Sequence, residues 1–158
     1  MFTIGGRGLG GKNEALRDVR SIDTQDHSKD ASWKDMPSLQ VGRENASACY
    51  TNGKLFVFGG YVLHKGNLSS VEVLDLANSL DHHPKWEQIE VDPTAFAPCK
   101  SPVVVPTSDT SLVIFSGDSK RSDIVHFDSA SHLFTMLASH VDPEPSNEED
   151  SAAAIVGG

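Results

Sequence analysis

The sequence predicts an all-β fold built from repeated four-stranded antiparallel sheets. Between Arg43 and Trp86, short runs rich in Val, Phe, Ile and Leu alternate with turn residues. The first two runs are joined by Asn52-Gly53, which is a strong hairpin signal. The same order of runs recurs before and after this stretch, with a period of roughly 50 residues. The alternation of runs and turns therefore predicts sheets, and the recurrence predicts several copies of one sheet.

Two kinds of run define the repeat. In the first kind an apolar strand ends in glycine, as in residues 2–6, 56–60 and 113–117. In the second kind an apolar strand ends in Asp, as in residues 19–23, 71–75 and 124–128.

An aromatic residue starts the fourth run of each copy, and its copies are Trp33, Trp86 and Phe134. We expect Trp33 and Trp86 to be buried between neighbouring sheets, because large aromatic side chains contribute most to such contacts. The same alignment matches Arg43, which precedes the first run of the middle copy, with Lys100.

The diglycine after an apolar strand, the strand that ends in Asp and the downstream Trp together resemble the kelch repeat. The resemblance extends over essentially the whole chain, and its most complete copy is the middle one. Leu74 stands where the family usually has Tyr, and in the third copy Ser116 and Phe134 replace a Gly and the Trp. The resemblance implies a β-propeller of kelch type with four-stranded antiparallel blades.

The repeat predicts three blades and one extra strand. Blade 1–40 lacks its first strand, blades 41–92 and 98–141 follow, and residues 151–158 supply one further first strand. We expect an incomplete ring, because known propellers close with about four to eight blades. Two alternatives stay open: the sequence is a fragment of a longer propeller, or two copies pair at their unmatched edges as a homodimer that closes a six-bladed ring.

Two patterns that suggest ligand binding have simpler explanations. Residues 6–11 fit G-x-G-x-x-G, the phosphate-binding pattern of dinucleotide sites, but the repeat already explains the glycines at its start and the following run is strand-like. His82 and His83 are adjacent, so on a strand they point to opposite faces and do not chelate one metal ion. We therefore predict no metal and no cofactor.

Composition limits the class of partner. The formal net charge is −9 and the pI is about 5.1, so we expect no nucleic-acid partner. Residues 142–150 are strongly acidic and are interpreted as a solvated loop, with an acidic docking segment as the alternative. No apolar run has membrane-spanning length, and no export signal is visible. Cys49 and Cys99 are predicted to be free thiols, which favours a reducing, cytoplasmic location.

No catalytic constellation is visible, and we predict that the chain is not an enzyme. The resemblance to kelch repeats implies protein–protein binding, with the chain as a non-catalytic scaffold or adaptor segment. No BTB or F-box sequence accompanies the repeats, so the ligase-adaptor role of some family members is not carried over. The alternative function is part of a propeller enzyme, such as a galactose-oxidase-like or sugar-modifying protein.

The loops of a propeller present its contact residues, because the sheets form a rigid scaffold beneath them. Candidate contact residues are the loop residues with long or aromatic side chains, namely Arg7, Arg43, Tyr61, His64, Lys65, Lys120 and Arg121. For Arg43, which resembles the family's Arg before a first strand, a structural hydrogen-bonding role is the alternative.

Overall fold

The computed structural model describes residues 1–8, 14–28, 31–77, 84–117 and 121–141. Within these ranges every regular secondary-structure element is a β-strand, which confirms the predicted all-β fold. The same ranges contain no helix long and apolar enough to cross a lipid bilayer. The predicted strand at 151–158 lies outside the described residues.

Three antiparallel sheets follow one another along the chain. The first sheet is β1 (Phe2–Ile4), β2 (Val19–Ser21) and β3 (Lys34–Met36). The middle sheet is β4 (Ser47–Thr51), β5 (Lys54–Phe58), β8 (Val71–Asp75) and β9 (Trp86–Ile89). The last sheet is β10 (Val103–Pro106), β11 (Ser111–Gly117), β12 (Arg121–Asp128) and β13 (Leu133–Val141). In each sheet the strands lie side by side in the order in which they follow one another along the chain, so each sheet is a meander. The predicted four-stranded antiparallel sheets are therefore confirmed.

The loop after β5 contains a short ribbon that the sequence did not indicate. Strand β6 (Tyr61–Val62) pairs with β7 (Gly66–Asn67), and Lys65 N donates a hydrogen bond of 3.0 Å to Val62 O. His64 has a φ of 69° and Gly66 a φ of 84°, which allows the chain to reverse within a few residues. The tight turn therefore fixes the main chain at the tip of the ribbon.

The β4–β5 hairpin forms at the predicted residues. Asn52 and Gly53 have φ values of 48° and 73°, and two positive φ angles are the signature of a type I′ turn. A Cβ on Gly53 would lie 2.6 Å from the Cβ of Ala77. Glycine is therefore needed here for both its φ angle and its lack of a side chain.

Both faces of the middle sheet are buried, because a sheet packs on each side. Toward the first sheet, Val57 lies in a cluster with Val19. Toward the last sheet, Phe56 and Phe58 each meet Phe127 edge to face, with ring centroids 5.4 Å apart. Successive β5 side chains point to opposite faces, so burial on both sides explains why β5 is a continuous apolar run.

The two tryptophans differ in burial, and the prediction for Trp33 is wrong. Trp86 is 3% exposed and its Nε1 donates a 2.8 Å hydrogen bond to Pro37 O, as expected for a ring between two sheets. Trp33 is 41% exposed. Trp86 packs in the cluster between the first and middle sheets, whereas the described residues provide no further sheet for Trp33 to pack on. The aromatic position therefore becomes core only where a neighbouring sheet covers it.

Cys49 and Cys99 are free and buried, which confirms the prediction that they form no disulfide. Burial raises the pKa of the Cys99 thiol to about 12, and the nearby Asp123 carboxylate adds to the rise. Burial also raises the pKa of Cys49. Both groups are thus thiols near neutral pH, and a thiol is a much poorer nucleophile than a thiolate.

Candidate functional site

Glycine turns connect neighbouring sheets in the same way twice. Gly6 N donates to Arg43 O at 2.8 Å, and Gly60 N donates to Cys99 O at 2.9 Å. The two glycines have φ values of 108° and 102°. This pattern makes Cys99 the counterpart of Arg43, so the predicted match with Lys100 is wrong by one residue. The prediction matched two basic side chains, Arg43 and Lys100. The glycine turn instead binds a main-chain carbonyl, so the residue at this position does not need to be basic.

Residues 39–43, here called the linker, join the first sheet to the middle sheet. Leu39 N donates to Arg17 O at 2.9 Å, and Arg43 N donates to Leu16 O at 3.0 Å. These two bonds lay the linker along the segment that precedes β2. The main chain at both ends of the linker is therefore held in place.

Glu72 on β8 holds the linker from the middle sheet. Its carboxylate accepts hydrogen bonds from Gln40 N at 2.6 Å and from Val41 N at 3.1 Å. Arg43 Nη2 lies 2.6 Å from Glu72 Oε1, and both side chains are 0% exposed. Burial lowers the pKa of Arg43, while the charge and the hydrogen bond of Glu72 act in the opposite direction. A paired, hydrogen-bonded guanidinium of this kind stays charged in the interior.

The remaining donors of Arg43 bind acceptors beside the strands of the middle sheet and one carbonyl of the linker, Val41 O, at 3.4 Å from Nε. Its Nη1 donates to Gly59 O at 2.7 Å and to Ser70 O at 3.0 Å, and its Nη2 donates to Ser70 Oγ at 3.1 Å. Arg43 therefore has no surface to offer a partner. The structure corrects its place among the contact candidates and supports the alternative, a structural hydrogen-bonding role.

An open groove with a volume of about 460 Å³ lies over the linker. Three segments line it: the chain before β2, the linker itself and the turn of the β6–β7 ribbon. The lining residues are Glu14, Ala15, Arg17, Gln40, Val41, Gly42, Val62, Leu63, His64 and Lys65. Because both the linker and the ribbon turn are hydrogen-bonded in place, the groove has a preformed floor.

The groove combines basic and apolar side chains. Arg17 and Lys65 are exposed cations, and the Arg17 Nε donates a hydrogen bond to Leu39 O. Leu63 is 40% exposed, which is unusual for a large aliphatic side chain and leaves an apolar surface beside the cations. Glu14 is the one carboxylate among the lining residues that the structure describes. The groove is therefore locally basic on a chain with a net charge of −9.

Four other predicted contact residues lie outside this set of lining residues. Tyr61 is half-buried, and its main chain exchanges two hydrogen bonds with Glu44, Tyr61 N to Glu44 O at 2.7 Å and Glu44 N to Tyr61 O at 3.0 Å. Arg7 Nε lies 3.7 Å from Glu44 Oε2, so Arg7 and Tyr61 both contact Glu44. Arg121 belongs to the last sheet, and Lys120 lies outside the described residues.

Of the predicted candidates, the structure brings His64 and Lys65 together in the groove. The sequence did not single out Glu14, Arg17 or Gln40. A signal for Arg17 was present, since the repeat aligns the segment before β2 with the loop that carries Lys65. No local pattern marks Gln40, which reaches the groove only because the linker lies along its floor.

Among the described residues, no group of three or more His, Cys, Asp and Glu side chains is arranged to hold a metal ion. His82 and His83 lie outside the described residues. His126 Nε2 lies 3.0 Å from Ser111 Oγ, a hydrogen bond within the last sheet.

Comparison with known proteins places the middle sheet in a recognised family. The family model described as Kelch motif matches residues 42–89, which include β4 to β9 and Arg43. An F-box/kelch-repeat protein of Arabidopsis thaliana is 42% identical over 52 residues, a stretch that covers 33% of this chain and 12% of the relative. The chain therefore matches only a small part of that relative's length.

Proposed function

Because the chain belongs to the kelch-repeat family, we propose that it is a non-catalytic protein-binding segment of a kelch-type propeller, a scaffold or an adaptor. The observation that supports this function best is the groove over the linker. It has a volume of about 460 Å³, within the range of known ligand sites, and its floor is held by hydrogen bonds. A preformed surface made by loops on stacked sheets suits the capture of a protein partner.

Protein is the proposed partner because the groove offers side chains that match a polypeptide. Leu63 and Val62 offer apolar contact area, while Arg17 and Lys65 offer charged groups. Nucleic acid is a poor alternative, because phosphate binding needs many cations and the chain is acidic overall.

An adaptor role is supported by the name of the Arabidopsis relative, which combines an F-box with kelch repeats. For this chain the proposal covers only the partner-binding half of such a role. A propeller enzyme, galactose-oxidase-like or sugar-modifying, has no observation in its favour among the described residues. Copper that stays bound through purification would support that enzyme class.

The proposed site is tested by site-specific photo-crosslinking. A photoreactive amino acid at Leu63 should crosslink a partner protein, while the same group at Leu133, which is 62% exposed on the last sheet, should not. Adding the unlabelled chain in excess should remove the crosslink. Equal crosslinking from both positions would contradict the assignment of binding to the groove.

The assembly proposal concerns the two outer sheets. By alternation, Val113, Phe115 and Ile124 lie on the face of the last sheet opposite the buried core. On the first sheet Arg20 pairs with Asp35 at 3.1 Å, and both side chains are exposed. In a homodimer that closes a six-bladed ring, this apolar face would pack against the exposed ion pair. We therefore propose that further blades, and not a second copy of the chain, cover the apolar face. Size-exclusion chromatography with light scattering tests it: a stable dimer would favour the homodimer.

A further inference from the structure

We infer that the partner segment held in the groove is an acidic peptide with a neighbouring apolar side chain, an inference that rests on the proposed function. The acidic residues bind Arg17 and Lys65, and the apolar side chain covers Leu63.

The first step in the argument is the charge of the groove. Arg17 and Lys65 provide two exposed cations against the single carboxylate of Glu14. This excess is local, because acidic residues outnumber basic ones in the whole chain. A surface of opposite sign to the rest of the protein attracts an acidic segment and repels a basic one.

The second step is the geometry of Arg17. Its Nε donates to Leu39 O, and Leu39 is completely buried, so one edge of the guanidinium is fixed to a rigid part of the fold. The two terminal nitrogens are then oriented donors, and a guanidinium of this kind matches a carboxylate in a bidentate contact. Lys65 lies in the tight ribbon turn and supplies an ammonium group as a second cationic donor.

The third step is the apolar surface in the same groove. Leu63 is 40% exposed and Val62 is half-buried, so both offer area that water now covers. Removal of such area from water favours binding in proportion to the area buried. A peptide that places a Leu, Ile or Phe beside its acidic residues satisfies both parts of the groove, whereas a purely acidic peptide satisfies one.

The floor of the groove makes this binding efficient. Gln40 and Val41 are held by Glu72, and Gly42 is so close to Ala15 that a Cβ on it would collide with the Ala15 carbonyl oxygen. Little of the binding free energy is therefore lost in ordering the receptor.

A random peptide display library panned on the 158-residue chain tests the inference. Peptides enriched on the wild-type chain should contain Asp or Glu next to an aliphatic or aromatic residue. The double variant R17E/K65E should bind the enriched peptides about 100-fold more weakly, because each lost charge-assisted hydrogen bond reduces affinity by roughly tenfold. The control K34E/K85E makes the same change in net charge at exposed lysines outside the groove and should bind normally.

Each result decides the question. Enrichment of basic or uncharged peptides that is lost in Leu63→Asp would overturn the acidic partner while leaving the protein-binding groove standing. Acidic peptides that bind R17E/K65E as well as they bind the wild type would also overturn it, and so would a library with no enriched sequence. Should R17E/K65E fail to fold by circular dichroism, Lys65→Glu alone replaces it, with an expected loss of about tenfold.

Discussion

Replacement of Glu72 by Ala should destabilise the chain by about 3–5 kcal/mol, because the substitution leaves the buried charge of Arg43 without its partner. The structure supports this magnitude. The Glu72 carboxylate accepts three hydrogen bonds, from Arg43 Nη2 at 2.6 Å, from Gln40 N at 2.6 Å and from Val41 N at 3.1 Å. Both charged side chains are fully buried, so water does not replace the lost acceptor.

Two matched variants separate the charge from the packing. Glu72→Gln keeps the size of the side chain and one acceptor oxygen, so its free energy of unfolding should lie between those of Glu72→Ala and the wild type. The double variant Arg43→Met with Glu72→Leu removes both charges and should recover most of the loss, because apolar replacements of a buried ion pair are often neutral or stabilising. Urea unfolding at constant pH measures all four free energies of unfolding, and the crosslink from position 63 reports whether the groove survives.

The result that would refute this reasoning is a Glu72→Ala variant within about 1 kcal/mol of wild type, since that is the size of an ordinary hydrogen-bond effect. A double variant less stable than Glu72→Ala would also refute it. In that case the linker would depend on the ion pair for its conformation, and the pair would be more than a compensated buried charge.

Three further outcomes follow from single residues. Burial lowers the pKa of the His132 imidazole below its ordinary 6.5, so folding favours the neutral ring. The free energy of unfolding should be highest above the pKa that this ring has in the unfolded chain, and it should fall as the pH drops from that pKa toward the lower pKa of the folded state. Urea unfolding between pH 7.5 and 5 checks this against His132→Asn, which tolerates the φ of 59° and should show a weaker pH dependence. The thiols of Cys49 and Cys99 should resist a thiol reagent at pH 8 and react fully in denaturant; rapid native labelling would contradict their burial. Gly60→Ala should destabilise the chain more than Gly66→Ala in thermal unfolding. Both glycines have a positive φ, so both substitutions share a backbone strain of about 1–3 kcal/mol. At Gly60 the new Cβ would also lie 2.9 Å from a main-chain oxygen, whereas at Gly66 it would meet nothing within 4 Å.

The parts of the fold that the sequence predicts are those with local causes. The Asn52-Gly53 turn, for example, follows from two residues that accept positive φ. Trp86, the aromatic residue that starts the fourth run of its copy, is buried as predicted because the first sheet covers it. The exposure of Trp33 has a different cause, since the same residue type in the same position depends on whether another sheet is present. Sequence alone does not carry that information.

The candidate site was predicted only in part because it is made of separate segments. His64 and Lys65 share one loop, and a loop can be found from turn residues and polarity. Arg17 and Gln40 join them through main-chain contacts of the linker, which no sequence pattern expresses. Arg43 was misassigned to the surface because its partner, Glu72, lies 29 residues away and a long charged side chain is usually exposed.

The linker differs from the segment before the last sheet in how it is held, and this difference accounts for the rigid floor of the groove. Before the middle sheet, Arg43 extends from the linker to Glu72 and Ser70, so its charge ties linker to sheet. Before the last sheet, Cys99 takes that position, and a buried carboxylate, Asp123, is instead bound by Arg121 at 2.7 Å. Both members of this second pair belong to β12, so their bond does not reach the linker. The two sheets thus each keep a buried acidic group with a guanidinium partner. In the middle sheet that partner comes from the linker, so the ion pair also holds the floor of the groove.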